Sequence, residues 1–147
     1  MIRVGETART AIHTALTGHL VFSTLHTTSA LEAVLRLADM GVERYLIGAT
    51  LRLIVGQRLV RTVCRSCDGA DPDCAACRGT GMSGRSVIAE VLEADAGFRE
   101  RISRSEPLEA LREHCISRGF RPMADDAAEK VDWGVTTDEE VLKALCS

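Results

Sequence analysis

Apolar residues recur at helical spacing in the first part of the chain. Between residues 6 and 16 they stand three or four positions apart, and Gly18 follows as a stop signal. A second helix is predicted to open at the capping-box pattern Ser29-x-x-Glu32 and to close at Gly41. The pattern therefore predicts two amphipathic helices in the first third of the chain.

A short apolar run, Leu20–Leu25, separates these two predicted helices. It is partly β-branched and aromatic, and it is bounded by Gly18 and by the polar pair Thr27-Thr28. Such a run is typical of a strand that is buried on both faces, as in a parallel sheet. A helix, a buried strand and a helix in this order predict an α/β fold.

The middle of the chain carries three further predicted elements and a loop. Residues 45–57 are rich in Leu and Ile and predict a helix or a pair of helices. Residues 58–63 and 87–92 have strand patterns, and residues 68–84 are crowded with Gly, Asp and Ser, which indicates a loop.

The last third of the chain is predicted to be mostly helical. Ser105 is a candidate N-cap with Pro107 in the first turn, and Gly119 is the corresponding stop. A second capping-box pattern, Thr137-x-x-Glu140, predicts the start of the final helix.

Four of the six cysteines fall within fourteen positions, in two C-x-x-C pairs: Cys64, Cys67, Cys74 and Cys77. Two such pairs supply four soft ligands for a tetrahedral zinc ion, and four thiolates leave no open position for catalysis. Two disulfides or four free thiols are the alternatives. We expect a structural zinc, which contributes on the order of 10 kcal/mol to folding and can hold a Gly-rich loop that has no core of its own.

Composition and charge exclude several classes of protein. Hydrophobic residues make up 46% and charged residues 27% of the chain, as in a globular protein. The net charge is -3 and the arginines are interspersed with acids, so we expect no nucleic-acid partner. We also expect no transmembrane segment and no secretion signal, since no run approaches the ~20 apolar residues of a membrane span, which makes the cytoplasm the expected compartment.

His26 stands at the end of the predicted strand, which is the edge where ligands bind in open α/β sheets. A histidine there can donate a hydrogen bond to a phosphate oxygen. The alternative is that His26 and His19 only satisfy local backbone groups.

The segment Thr17–Thr27 resembles the histidine box of the type II secretion and type IV pilus assembly ATPases. The similarity continues in the family's order over nearly the whole chain. Its further segments are Arg36–Val42, Gln57–Arg61, the two cysteine pairs, Gly84–Val91 and Gly134–Leu142.

This resemblance implies the C-terminal part of a RecA-like P-loop ATPase domain that works as a homo-hexamer with ATP and Mg²⁺. The partners implied are platform proteins of a secretion or pilus machine, at the cytoplasmic face of the inner membrane. By position, His26 contacts the γ-phosphate and His19 supports it. Thr24, Gln57 and Arg58 fall near the nucleotide, although a structural salt bridge is an equal alternative for Arg58.

Two motifs that such ATPases need are not found in the sequence. No G-x-x-x-x-G-K-[ST] phosphate loop occurs. An ungapped match sets Ile2-Arg3 on the family's Ile-Arg and leaves Met1 where the catalytic glutamate belongs, whereas reading Gly5-Glu6 as the Walker B pair requires a gap in a core helix. We therefore expect this chain alone to be inactive as an ATPase.

The predicted organisation has three parts. Residues 1–63 form the latter half of the RecA-like domain, residues 64–86 the tetracysteine zinc loop, and residues 87–147 a mostly helical subdomain. One rival remains, because Cys74–Gly81 also fits C-x-x-C-x-G-x-G, the repeat of Hsp40-type cochaperones. In that alternative the chain is a zinc-dependent protein-binding module.

Overall fold

The structure is a computed structural model that describes residues 1–2 and 4–146. It contains helices and a two-stranded sheet, so the chain is of mixed α and β structure. In chain order the elements are α1 (Gly5–Leu16), α2 (Glu32–Asp39), α3 (Arg44–Thr50), β1 (Leu53–Val63), β2 (Met82–Glu93), α4 (Ala96–Ser103), α5 (Leu108–Ser117), α6 (Met123–Asp132) and α7 (Asp138–Leu145).

One compact unit consists of Met1–Gly56 and Val91–Phe120. In it α3 packs against α4, and Gly48 permits this packing because a Cβ there would lie 2.6 Å from the carbonyl oxygen of Arg99. The fully buried core side chains of this unit include Val34, Ile47, Phe98, Ile102 and Leu111.

The other unit consists of Gln57–Glu90 and Arg121–Ser147. Its core is small, with Val60, Ile88, Met123 and Ala127 buried and with Val141 and Ala144 packed against them. Two carboxylates add polar links between strand and helix. Asp126 of α6 accepts a 2.7 Å hydrogen bond from the backbone N–H of Ala89, and Glu90 of β2 accepts one from α6.

The strands β1 and β2 are hydrogen-bonded to each other and run antiparallel. The N–H of Cys64 donates to the Gly81 carbonyl at one end, and the N–H of Ala94 donates to the Arg52 carbonyl at the other. The span from Gly81 to Ala94 is one residue longer than the span from Arg52 to Cys64. The extra residue indicates a β-bulge in β2, and Gly84 of this strand has a φ of +90°.

Several predicted helix boundaries are confirmed. The predicted helix over residues 6–16 is α1, and Gly18 follows it with φ of +91°. Ser29 is not the N-cap of α2, because Leu31 holds that position, although Ser29 Oγ accepts a 3.3 Å hydrogen bond from the N–H of Glu32. At the start of α7 the side chain of Thr137 accepts from the N–H of Glu140.

The buried strand predicted over Leu20–Leu25 is wrong. The segment has no regular secondary structure, and the side chains of Leu20 and Phe22 are 79% and 86% exposed. A strand needs neighbours for its N–H and C=O groups. No strand in the described part of the chain pairs with this segment, and we find one backbone hydrogen bond to it, from the N–H of Ile2 to the Thr24 carbonyl at 2.9 Å.

Two other boundaries differ from the prediction. The helix predicted over 45–57 ends at Thr50, and β1 occupies the remainder. Ser105 is not the N-cap of α5, because Pro107 holds that position while Ser105 has a left-handed φ of +59°. The division into 1–63, 64–86 and 87–147 stays a prediction. None of the helices in the described part of the chain has the length and apolar content that crossing a membrane requires.

Candidate metal centre

The four cysteines of the two C-x-x-C pairs meet in one cluster between β1 and β2. Their Sγ atoms all lie within 4.8 Å of one another. Cys64 Sγ is 3.9 Å from Cys74 Sγ, and Cys67 Sγ is 3.7 Å from Cys77 Sγ. These distances are far from the roughly 2.05 Å of a disulfide, and all four are free thiols. The four cysteines are therefore positioned to hold a metal ion.

The two C-x-x-C turns share one backbone feature. In each, the residue after the second cysteine and the next glycine both have positive φ: Asp68 and Gly69 at 47° and 80°, Arg78 and Gly79 at 55° and 71°. A pair of left-handed residues turns the chain back sharply, so that its amides can point at the sulphur atoms. The sequence thus places the same pair of left-handed residues after each C-x-x-C pair.

Close backbone contacts pack the cysteine loop tightly. A Cβ at Gly79 would overlap the carbonyl oxygen of Pro72, and one at Gly81 would lie 2.9 Å from the carbonyl oxygen of Gly69. Both glycines also have positive φ. Any other residue at these positions therefore adds both a close contact of its Cβ and an unfavourable backbone conformation.

Backbone amides near the sulphur atoms favour thiolates. The N–H of Asp71, with a further contribution from Gly69, lowers the pKa of Cys67 to about 7. The backbone N–H of Cys77 also favours the thiolate of Cys74, but desolvation and the neighbouring thiols outweigh it and raise the pKa of Cys74 to about 11. One sulphur therefore ionises readily and accepts hydrogen bonds from its neighbours. Thiolates are the form in which cysteine binds metals.

The end of β1 that leads into the first turn is held by the segment before α7. The N–H of Val63 donates to the Val135 carbonyl at 3.0 Å, and Thr136 Oγ1 donates to the Arg61 carbonyl at 2.7 Å. Thr136 is buried although it is polar. These two hydrogen bonds fix the position of Cys64, the first cysteine of the cluster.

The histidine-box residues lie on the exposed segment after α1. His19 is exposed, and its Nδ1 lies 3.1 Å from Thr17 Oγ1. Thr24 is exposed and accepts the Ile2 hydrogen bond through its carbonyl. No hydrogen bond joins His19 to His26 among the residues that the structure describes. The phosphate-contact and nucleotide roles of these residues stay predictions.

His26 lines a cavity of about 270 Å³ together with Ile2, Arg36 and Met40. Arg36 was not predicted as a site residue. Its position on α2, ten residues after His26, gives no signal by itself, because an exposed arginine on a helix is usually a solvated side chain. Only the fold places it beside His26.

Gln57 and Arg58 are consecutive residues of β1. Gln57 is exposed, and Arg58 is half-buried and donates from Nη1 to the Gln57 carbonyl at 3.2 Å. Of the predicted Ile-Arg pair, Ile2 is buried, whereas Arg3 lies outside the described residues. Glu6 is exposed in the first turn of α1.

The chain is similar over most of its length to known proteins of one family. The family model for "Type II/IV secretion system protein" matches residues 1–143. The type II secretion system protein HxcR of Pseudomonas aeruginosa is 41% identical over 97% of this chain and 32% of its own length. The type II secretion system ATPase E of Vibrio cholerae is 38% identical over 97% of the chain and 33% of its own length. The type IV pilus assembly ATPase PilB of Thermus thermophilus is 37% identical over 96% of the chain and 19% of its own length.

A solved structure also shares the fold. The ATPase DotB of Legionella pneumophila matches with a TM-score of 0.72 and 25% identity, over 95% of this chain and 35% of DotB. The chain spans about one third or less of the length of these relatives. The cochaperone alternative is not favoured by these matches. The chain belongs to the type II/IV secretion system protein family.

Proposed function

We propose that the tetracysteine cluster holds one structural zinc ion. The observation that carries this proposal is the set of Sγ distances. A tetrahedral zinc with Zn–S bonds of about 2.3 Å has sulphur–sulphur edges of about 3.8 Å. Two of the six Sγ pairs lie 3.7 and 3.9 Å apart, close to that edge, and all four Sγ atoms lie within 4.8 Å of one another.

A zinc ion here stabilises the loop between β1 and β2, because this loop has no apolar core besides the cysteines themselves. The ion ties both cysteine turns together at the end of the hairpin. Four thiolates complete its coordination, so no position is left for a water or a substrate.

We further propose that the chain works as part of an ATPase that powers type II secretion or type IV pilus assembly. The family match over residues 1–143 carries this proposal, and relatives named as secretion and pilus ATPases support it. In this proposal the chain belongs to a RecA-like domain of a homo-hexamer. It acts at the cytoplasmic face of the inner membrane on platform proteins, with ATP and Mg²⁺ as substrate and cofactor.

Within that assembly His26 donates a hydrogen bond to the γ-phosphate, and His19 supports the same segment. Thr24, Gln57 and Arg58 lie near the nucleotide. A contact that strengthens as charge develops on the transferred phosphoryl group lowers the barrier more than it tightens ground-state binding. His26 therefore acts mainly on turnover.

A chimera tests this role. This chain replaces the matching part of the Vibrio cholerae ATPase, and ATP hydrolysis and nucleotide affinity are measured with and without Mg²⁺. We expect Mg²⁺-dependent turnover that His26→Ala lowers by about ten-fold or more, with a smaller change in nucleotide affinity. The matched control is His13→Ala, because His13 is an exposed histidine on α1 that does not line the His26 cavity. Equal activity of the two variants would remove His26 from the mechanism.

This chain alone should not hydrolyse ATP. Phosphoryl transfer depends on a phosphate loop, its lysine and Mg²⁺, and the sequence of this chain contains no such loop. One hydrogen bond from His26 supplies about 1–3 kcal/mol, far below the ~8 kcal/mol that enzymatic acceleration needs.

A further inference from the structure

We propose that Arg36 and His26 together form an anion subsite that takes one phosphate group, with Arg36 as its permanent positive charge. This inference rests on the proposed function, in which His26 meets the γ-phosphate. It adds a binding residue that neither the sequence motifs nor the family match assigns.

The cavity they share is suited to a phosphate group. Its volume of about 270 Å³ is below the roughly 300–1,000 Å³ of pockets that enclose a whole small molecule. It is nevertheless large enough for one phosphate group, with the rest of a nucleotide outside. Two of its lining residues, Ile2 and Met40, are apolar, while the other two carry hydrogen-bond donors.

Arg36 is free to bind an anion. The usual partner of a helical arginine is a carboxylate one turn earlier, and Glu32 stands at that position on α2. Glu32 Oε2 is instead occupied by Thr28, which donates to it from both its backbone N–H and its Oγ1. Across residues 1–2 and 4–146 we find no ion pair or hydrogen bond to the Arg36 guanidinium.

The chemistry of the two side chains is complementary. A guanidinium stays charged at every physiological pH, and its planar fork donates two parallel hydrogen bonds to a phosphate. The imidazole of His26, which lines the same cavity, adds a third donor.

Phosphate titration of this chain tests the subsite. Inorganic phosphate is added at constant ionic strength, with chloride as the counter-titrant, and the imidazole Cε1–H signal of His26 is followed by NMR. We expect a saturable shift in the millimolar range for the unmodified chain. Arg36→Gln should weaken the fitted affinity by about ten-fold or more, because it removes the positive charge and the pair of parallel hydrogen bonds. Arg36→Lys, which keeps the charge but not the fork, should fall between the two.

The control is Arg104→Gln, which removes an exposed arginine of the same unit that does not line the cavity, and it should leave the affinity unchanged. An undiminished His26 response in Arg36→Gln would overturn the inference while leaving the proposed role of His26 intact. The absence of any saturable response in the unmodified chain would also overturn it. The proposed ATPase function is then still judged by turnover of the chimera, which is a separate readout.

Discussion

The buried carboxylate of Glu90 in β2 accepts a 3.0 Å hydrogen bond from the backbone N–H of Met123, the first residue of α6. The N-cap of α6 is Pro122, which supplies no side-chain cap. Glu90 therefore caps the N-terminus of α6 from a neighbouring strand. Its negative charge also lies at the positive end of the helix dipole.

Replacing Glu90 should destabilise the unit that contains α6. We expect Glu90→Ala to lower the free energy of unfolding by about 2 kcal/mol, since it removes a charge-assisted hydrogen bond at a buried helix end. Glu90→Gln keeps an acceptor and should cost about 1 kcal/mol. Urea denaturation followed by circular dichroism measures both. Glu93→Gln, an exposed glutamate on the same strand, should change the free energy by less than about 0.5 kcal/mol. Equal effects at positions 90 and 93 would contradict the capping role.

Asp95 should make stability depend on pH in the acid range. Its carboxylate accepts a 2.7 Å hydrogen bond from the Phe98 N–H and lies 2.9 Å from His114 Nε2. The hydrogen bond from Phe98 has the larger effect and the contact with His114 the smaller, and together they lower the pKa of Asp95 from 3.8 to about 2. A lowered folded-state pKa stabilises the protein above the unfolded-state pKa, and the stabilisation is lost as pH falls from about 4 to 2.

We therefore expect Asp95→Asn to lose about 1–2 kcal/mol of unfolding free energy at pH 6, with partial solvent screening included. The difference from the unmodified chain should shrink toward zero as pH approaches 2. Denaturant titrations at half-unit pH intervals measure it. Asp39→Asn, at an exposed position, serves as the control and should show no such trend. A difference that stays constant over this pH range would show that Asp95 acts only through packing.

The two equivalent glycines of the cysteine turns should differ in their tolerance of alanine. Both have positive φ, which costs an alanine about 1 kcal/mol. At Gly79 the added Cβ also overlaps the Pro72 carbonyl oxygen, whereas at Gly69 its nearest neighbour is Val63 Cγ1 at 3.5 Å. We expect Gly79→Ala to destabilise the zinc-loaded chain by at least 1 kcal/mol more than Gly69→Ala does. Thermal unfolding at saturating zinc measures the difference, and equal losses would contradict the close contact.

The sequence predicted the helices better than the strands, for a physical reason. Helix ends are marked locally, as by Gly18 and Thr137, and those predictions are confirmed. In β1 the consecutive residues Leu53, Ile54 and Val55 are all apolar although alternate ones are exposed, so the period of two is hidden. The apolar run therefore predicts a helix where the structure has the start of β1.

In the candidate site too, the features that depend on local sequence were predicted and those that depend on distant contacts were not. The spacing of the cysteines predicted that they would meet, because two short turns with two thiols each constrain the geometry strongly. The neighbourhood of Arg36 and His26, and the capping of α6 by Glu90, depend on contacts between distant parts of the chain. No local sequence pattern predicts such contacts.

Metal analysis of the purified chain tests the central claim most directly. Elemental analysis by mass spectrometry should find one zinc ion per chain in the unmodified protein and in Cys146→Ser, which removes an exposed cysteine outside the cluster. Cys67→Ser should lose most of the zinc, and its hairpin loop should become sensitive to proteolysis. A folded chain that contains no metal, or a disulfide between any two of Cys64, Cys67, Cys74 and Cys77, would contradict the account.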